Sequence, residues 1–304
     1  MSVISPTVIP LHNKPWSIVN HKLLAHAFGR WSSQANRVFW TYSPVTYGFE
    51  RGAKVSVYHC VDLYGQFPGI DSALIDREER RLAATGIQAI GSSQIVVEHL
   101  RSQGFREVLY WPNVADTQQI ALTQRKGRQE RSGALFAGNL SEKKVDFSVL
   151  RKILDSGVEL HLAGPVAEGG GASQVRVDDL VSAGATYHGV LSLPELSTLM
   201  FKCRVGLIPY LQTPYTRGVS PLKTYEYLAA GLTVVSTPIP GVVEEHPHIY
   251  TPRHNDSFVQ RVRAASREST RHLEDERLAI ADRHSWVQRG RDARELVKMR
   301  GGFC

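Results

Sequence analysis

Cysteine is scarce in this sequence: Cys60, Cys203 and Cys304 are the three in 304 residues, far apart and without a CxxC pair. Neither a disulfide framework nor a metal site is indicated, and a reducing compartment fits. Long apolar runs are missing too; none approaches the roughly 18 residues of a membrane span. The N-terminus lacks the basic, apolar, small-residue order of a secretory signal. A cytoplasmic protein is expected, with any membrane contact peripheral and at the inner face. Acidic side chains are absent before Glu50, and there is no tandem repeat or low-complexity tract.

What is present is an ordinary globular composition. Hydrophobic residues make up 42% of the chain, enough for packed cores and more than disorder would show. At roughly 100 to 200 residues per domain, the length predicts two cores. Lys and Arg number 36 against 29 Asp and Glu, a net charge of +7, so an anionic partner is expected. Before Glu50 stand Lys14, Lys22, Arg30 and Arg37, interleaved with Trp16, Trp31 and Trp40. Two readings stay open: ordinary charge density over core tryptophans, or a face toward anionic lipid headgroups or a phosphorylated acceptor. Nucleic acid is not expected, since zinc-finger spacing, an aromatic RNP signature and a dense basic stripe are all lacking.

Short β-branched or apolar runs alternate with longer helical patterns, which predicts an α/β fold with parallel strands and crossover helices. In the first part strands are expected at Val3 to Ile9, Arg37 to Tyr42, Val55 to Cys60, Gln88 to Gly91 and Glu107 to Trp111, with helices near 17–31, 71–85 and 93–103. The polar segment Gln124 to Gly133 is the linker candidate, placing one domain at 1–125 and a second at 131–285. The second part reads as strands Ala134 to Ala137, Glu159 to Ala163, Thr186 to His188, Val205 to Pro209 and Thr233 to Ser236. Helices Phe147 to Asp155, Pro194 to Lys202 and Pro221 to Ala230 lie between them, and 166–174 is a flexible loop. This is a doubly wound order, so the loops at Gly138, Gly164, Gly189 and Tyr210 to Ser220 should converge on one site at the carboxyl ends of the strands.

One helix start is odd for stability. Ser220 reads as its N-cap, Pro221 as its first residue and Gly231 as its end. That puts Lys223 in the first turn, where the helix dipole favours a carboxylate, at a penalty of roughly 0.3 to 1 kcal/mol. With Arg217 upstream, two cations gather where backbone N–H groups are unpaired, which suits a phosphate or pyrophosphate. Glu226, one turn on at the border of the apolar arc, can accept from vicinal ribose hydroxyls. A nucleoside diphosphate satisfies both; a solvated Lys satisfies the first alone.

The stretch PLKTYEYLAAGLTVVSTPIPG resembles the donor-site segment of GT-B fold glycosyltransferases of the bacterial polysaccharide, group 1-like type. YHGVLSLPELSTLMFKCRVGLIPY and ALFAGNLSEKKVDFSVL are similar to neighbouring parts of the same domain. VFWTYSP, VSVYHCVDLYGQFPG, IGSSQIVVEHLRSQG and VLYWPNVAD resemble the latter half of the N-terminal domain, and HSWVQRGRDA a closing helix. The resemblance implies two Rossmann-like domains facing a cleft, with 286–304 crossing back to the first. It also implies an N-terminal domain shortened by the usual first strand, glycine-rich loop and helix. It further implies sugar transfer from a nucleoside-diphosphate sugar, without metal or other cofactor, to a polysaccharide or lipid-linked glycan acceptor. On that basis Glu226 holds the ribose, Lys223 and Arg217 the pyrophosphate, Gly138 and Asn139 lie by the phosphates and Gly189 by the base, with Ser220 and Gly241 completing the donor set. Many retaining members carry a glutamate eight positions before the helix glutamate; here that residue is Gly218, so the anomeric outcome is not implied.

For the acceptor, a base must take a hydroxyl proton while cations absorb charge on the leaving diphosphate. Asp62 and His59, at or just past the end of Val55 to Cys60, are the candidates, Asp62 preferred if configuration is inverted. Their bland readings are a turn or cap carboxylate and a half-buried histidine. Glu244 and Glu245 read as sugar contacts or as a solvated face. Two rival functions remain: an inactive GT-B protein binding nucleotide or a partner, which would make no product, and a nucleotide-sugar epimerase, which would consume donor without acceptor.

Overall fold

The structure, a computed structural model, describes residues 3–10, 14–67, 69–124, 130–166, 171–268 and 271–302. The chain divides into two compact units, Met1–Trp111 with Arg291–Cys304, and Pro112–Gly290. No helix among the described residues is long and apolar enough to cross a membrane.

Unit 1 runs α1 (Lys14–Phe28), β1 (Val38–Thr41), β2 (Val55–Cys60), α2 (Ser72–Ala83), β3 (Gln88–Gly91), α3 (Gln94–Ser102) and β4 (Val108–Tyr110). Its four strands pair in parallel in the order β1-β2-β3-β4. Side chains cap the helices that follow strands: Asp71 accepts from Leu74 N (3.0 Å) and Ser93 from Val96 N (3.2 Å). Tyr58, Cys60, Leu82, Ala89, Val96 and Leu100 fill one face of the sheet. On the other, Val55, Val57 and Ile90 pack with Leu296 from the returning stretch.

The strand expected at Val3 to Ile9 does not form. Pro6 and Pro10 remove ladder donors, and Asn20 of α1 takes both backbone groups of Ile9, its Oδ1 accepting from Ile9 N (2.8 Å) and its Nδ2 donating to Ile9 O (2.9 Å).

Unit 2 runs α4 (Thr117–Gln124), β5 (Ala134–Ala137), α5 (Phe147–Asp155), β6 (Leu160–Ala163), α6 (Gly171–Ser182), β7 (Thr186–Tyr187), α7 (Leu193–Met200), β8 (Val205–Ile208), α8 (Pro214–Gly218) and α9 (Lys223–Ala229). It continues with β9 (Thr233–Ser236), β10 (Ile249–Tyr250), α10 (Asn255–Ala265), α11 (Glu274–Arg283) and the start of α12 (Trp286–Gly301), whose residues from Arg291 count with unit 1. All six strands are parallel in the order β10-β9-β8-β5-β6-β7, so the winding reverses between β5 and β8.

The division falls ahead of the polar 124–133 segment, of which 125–129 lie outside the described residues. Helix α4 belongs to unit 2: Ile120 is buried in that core, and Thr117 Oγ1 donates to Asp282 Oδ1 (2.7 Å). The loop expected at 166–174 is shorter than that, because α6 starts at Gly171 and buries Ser173, Val177 and Leu180; 167–170 are outside the described residues.

Candidate functional site

Open α/β sheets bind ligands where the strand order reverses, and in unit 2 that point lies between β5 and β8. Tyr227 of α9 spans it. Its hydroxyl accepts from Ala137 N at the end of β5 (2.8 Å) and donates to the Leu207 carbonyl of β8 (3.4 Å). The side chain is wholly buried, and burial pushes its pKa well up, so the phenol stays protonated. Helix α9 is thereby moored to the residue before Gly138.

The loops that follow the strands are stitched together. Gly138 N donates to Ala163 O (2.9 Å) and Gly164 N to Gly189 O (2.7 Å). At Gly164 a Cβ would stand 2.1 Å from the Gly138 carbonyl oxygen, and φ is +131°, so only glycine lets these turns meet. Gly138, Gly164 and Gly189 therefore form one edge. Beside them the Oδ1 of Asn139 is buried with no hydrogen-bond partner among the described residues. His188, just before Gly189, lies with its Nε2 3.1 Å from His161 Nδ1, and burial, then His161 and Lys202, lower its pKa.

Helix α9 starts two residues later than Pro221. Thr224 N and Tyr225 N donate to Pro221 O and Leu222 O (3.1 Å each), a three-residue spacing that makes this turn tighter than an α-helix. Lys223 is thus the first residue of α9, not the third. Ser220 is not its cap, because the Ser220 hydroxyl accepts from Asn113 N (3.3 Å) and its carbonyl from Asn113 Nδ2 (2.7 Å). Lys223 Nζ instead donates to Glu226 Oε2, an i,i+3 ion pair in which the carboxylate is nearly buried. Thr224, absent from the sequence reading, lies between them with its Oγ1 buried and without a partner among the described residues. Gly241 presses on the same segment: a Cβ there would stand 2.1 Å from Val219 O. Arg217 lies in the last turn of α8 and is exposed.

Glu244 and Glu245 are exposed, and Glu244 Oε1 accepts from Thr251 N (3.1 Å). A groove of about 680 Å³ opens between α5 and α6, lined by Asp146, Arg151, Arg176 and Asp179 among others. It takes in none of the three glycines, so the convergence of loops, rather than that groove, locates the site.

The base candidates belong to unit 1. His59 is 6% exposed, among the rings of Tyr42 (5.1 Å), Trp40 (6.1 Å) and Trp111 (6.2 Å). Asp62 is half-buried, its carbonyl accepting from Cys60 Sγ (3.1 Å) and Tyr64 N (3.0 Å). One cluster of metal-ligand type occurs among the described residues: Asp76, Glu79 and His99. The Glu79 carboxylate is already engaged by Tyr58 Oη (2.8 Å) and His99 Nε2 (2.6 Å), and that contact raises the His99 pKa.

Residues 131–268 match the family "Glycosyl transferases group 1". A Bacillus subtilis (strain 168) protein named as a teichuronic acid biosynthesis glycosyltransferase, TuaH, is 45% identical over 47 residues, 15% of this chain and 12% of that protein's length. Anabaena Alr3699/HepE, crystallised with UDP and glucose, superposes with a TM-score of 0.67 at 16% identity, covering 95% of this chain and 84% of that one. A glycosyltransferase from Rickettsia africae ESF-5 gives a TM-score of 0.71 at 12% identity, covering 97% and 84%. The chain therefore has the GT-B fold, and residues 131–268 of its second unit are similar to group 1 glycosyltransferases.

Proposed function

We propose that the protein transfers a sugar from a nucleoside-diphosphate sugar to a glycan or lipid-linked acceptor, without a bound metal. The observation that carries this reading is the Lys223–Glu226 pair on α9, the helix that Tyr227 ties to the residue before Gly138, at the switch point of a domain that matches group 1 glycosyltransferases. With donor bound, the diphosphate draws Lys223 and Arg217 while ribose hydroxyls donate to Glu226, so the Lys223–Glu226 ion pair opens into two charge-assisted contacts. As the bond to the sugar breaks, the same cations absorb the charge on the leaving diphosphate. Asp62 takes the acceptor proton if configuration inverts; if it is retained, the leaving phosphate takes it and Asp62 orients a hydroxyl. The UDP complex of HepE supports a uridine donor, and the TuaH likeness supports an acceptor of the teichuronic acid kind.

Melting curves with UDP, GDP, ADP and TDP test the donor site. One nucleotide is expected to raise the midpoint, and Lys223→Ala and Glu226→Ala each to remove that rise; if both variants respond like the parent, the site lies elsewhere. Labelled product from the matching sugar donor, made equally well in EDTA and lost in Asp62→Asn, is the expected catalytic result.

The acceptor side has its own feature. Helix α1 turns Asn20 and Leu24 inward; Trp16, Val19 and Leu23 are exposed along one flank of that buried strip, and Lys22 and Ile18, the latter 61% exposed, lie on the far side. An apolar helix face in a stretch without acidic residues fits an anionic bilayer surface, where each Lys or Arg contributes roughly 1 kcal/mol. Flotation with phosphatidylglycerol vesicles, weakened by salt and by Trp16→Ser with Leu23→Ser, is the expected outcome.

A further inference from the structure

We propose that Asn113 is a positioning residue of the donor site, a role that rests on the donor reading above. Helix α9 has no side-chain cap of its own, and its opening turn is tight, so nothing inside the helix fixes where Lys223 and Glu226 begin. The fixing comes from outside. Asn113 gives two donors to one residue, its backbone N–H to the Ser220 hydroxyl (3.3 Å) and its amide Nδ2 to the Ser220 carbonyl (2.7 Å). Ser220 is 4% exposed, so these donors replace water that cannot reach it. Gly241 closes the other side, too near Val219 O for any larger residue.

Asn113 is itself held. Two residues on, Ala115 forms a bridge with Ser285: Ala115 N donates to His284 O (2.9 Å) and Trp286 N to Ala115 O (3.2 Å), while Arg289 Nη2 donates to Pro112 O (2.7 Å). The His284 ring then stacks on Tyr225 of α9, centroids 4.0 Å apart and planes 16° off parallel. The contacts make a closed circuit, from Asn113 to Ser220, along α9 to Tyr225, across to His284 and back through Ala115. The circuit sets the azimuth of α9, and Tyr227 sets its depth; Asn113 is the member whose side chain reaches Ser220, in the segment that leads into the donor helix. Its amide is required rather than its size. A carboxylate in the same place would turn an acceptor toward the Ser220 carbonyl.

The test measures the dissociation constant of the nucleoside diphosphate that most raises the parent's melting midpoint, by titration calorimetry. Asn113→Ala and the isosteric Asn113→Asp are each expected to weaken binding roughly 10-fold, the scale of one displaced charge-assisted contact. The same substitutions made in a Lys223→Ala background are expected to add little, because Asn113 acts by placing that lysine and its partner. A residue that merely stabilises the fold would lower the unfolding midpoint in both backgrounds and leave affinity alone, and that result overturns the proposal. Equal, additive losses in both backgrounds overturn it too. If Asn113→Ala folds poorly, Asn113→Asp, which keeps the backbone bond to Ser220, decides. Lys223→Ala and Glu226→Ala with unchanged affinity would remove the donor reading and this role with it. Weakened affinity in those two with none in the Asn113 variants removes this role alone.

Discussion

At the scale of single residues, Tyr227 and Gly241 do more for the site than their chemistry suggests. The Tyr227 hydroxyl satisfies the buried amide of Ala137. Tyr227→Phe keeps the ring and strands that N–H, and unfolding experiments should find it less stable by about 1 to 3 kcal/mol. Because Ala137 precedes Gly138, the same variant should bind nucleotide more weakly. Gly241→Ala meets a backbone carbonyl rather than a movable side chain. It is expected to lower the melting midpoint and to abolish the nucleotide-induced rise. Both roles escaped the sequence. A tyrosine at helical spacing reads as core, and a glycine in IPG reads as a turn; what each touches lies at least 20 residues away in the chain. The placing of Lys223 and Glu226 in the first turn of α9 was legible because the signal is local, a lysine with a glutamate three residues on. Their mutual ion pair was not.

At the scale of elements, central strands and helices with strong apolar faces were legible to the residue. Strands β2, β3, β5 and β9 and helix α5 fall where the pattern puts them. Each of these strands is buried along nearly its whole length, and so reads as a short run dominated by β-branched or apolar residues. Helices α4 and α6 were missed, since TQQIALTQ and GASQVRVDDLVS bury only a few side chains each. The contact between α9 and the turn at His284 makes a prediction of its own. Burial first, then Arg283 and Arg289, lower the His284 pKa to about 4. In the unfolded chain a histidine takes its proton near pH 6.5, whereas folded His284 does not until about pH 4. The unfolded state therefore binds more protons in this window, and stability falls as pH drops from about 6.5 to 4 while staying flat above. Replacing His284 by Phe keeps a stacking ring and cannot titrate. The stability difference between parent and His284→Phe should widen in the variant's favour over that interval, read from urea unfolding at pH 7 and pH 5.

At the scale of the whole molecule, the alternation of strands and helices sufficed for the fold class, and of the loops predicted to converge in unit 2 those at Gly138, Gly164 and Gly189 meet. The sequence placed a boundary in a polar segment; the contacts place it at Trp111, because α4 is amphipathic too weakly to announce that it packs into unit 2. Nucleoside diphosphate, if held as proposed, should slow amide exchange chiefly in the loops after β5, β6 and β7 and in α9.

The placement of the thiols offers a further handle. Cys60 and Cys203 are both wholly buried, one in each unit, and burial pushes each up to about 12. Neither sulfur can meet an alkylating reagent until its own half of the protein opens. With Cys304 changed to serine, each half carries a private clock, and mass spectrometry of the two labelled peptides would time the opening of one half independently of the other.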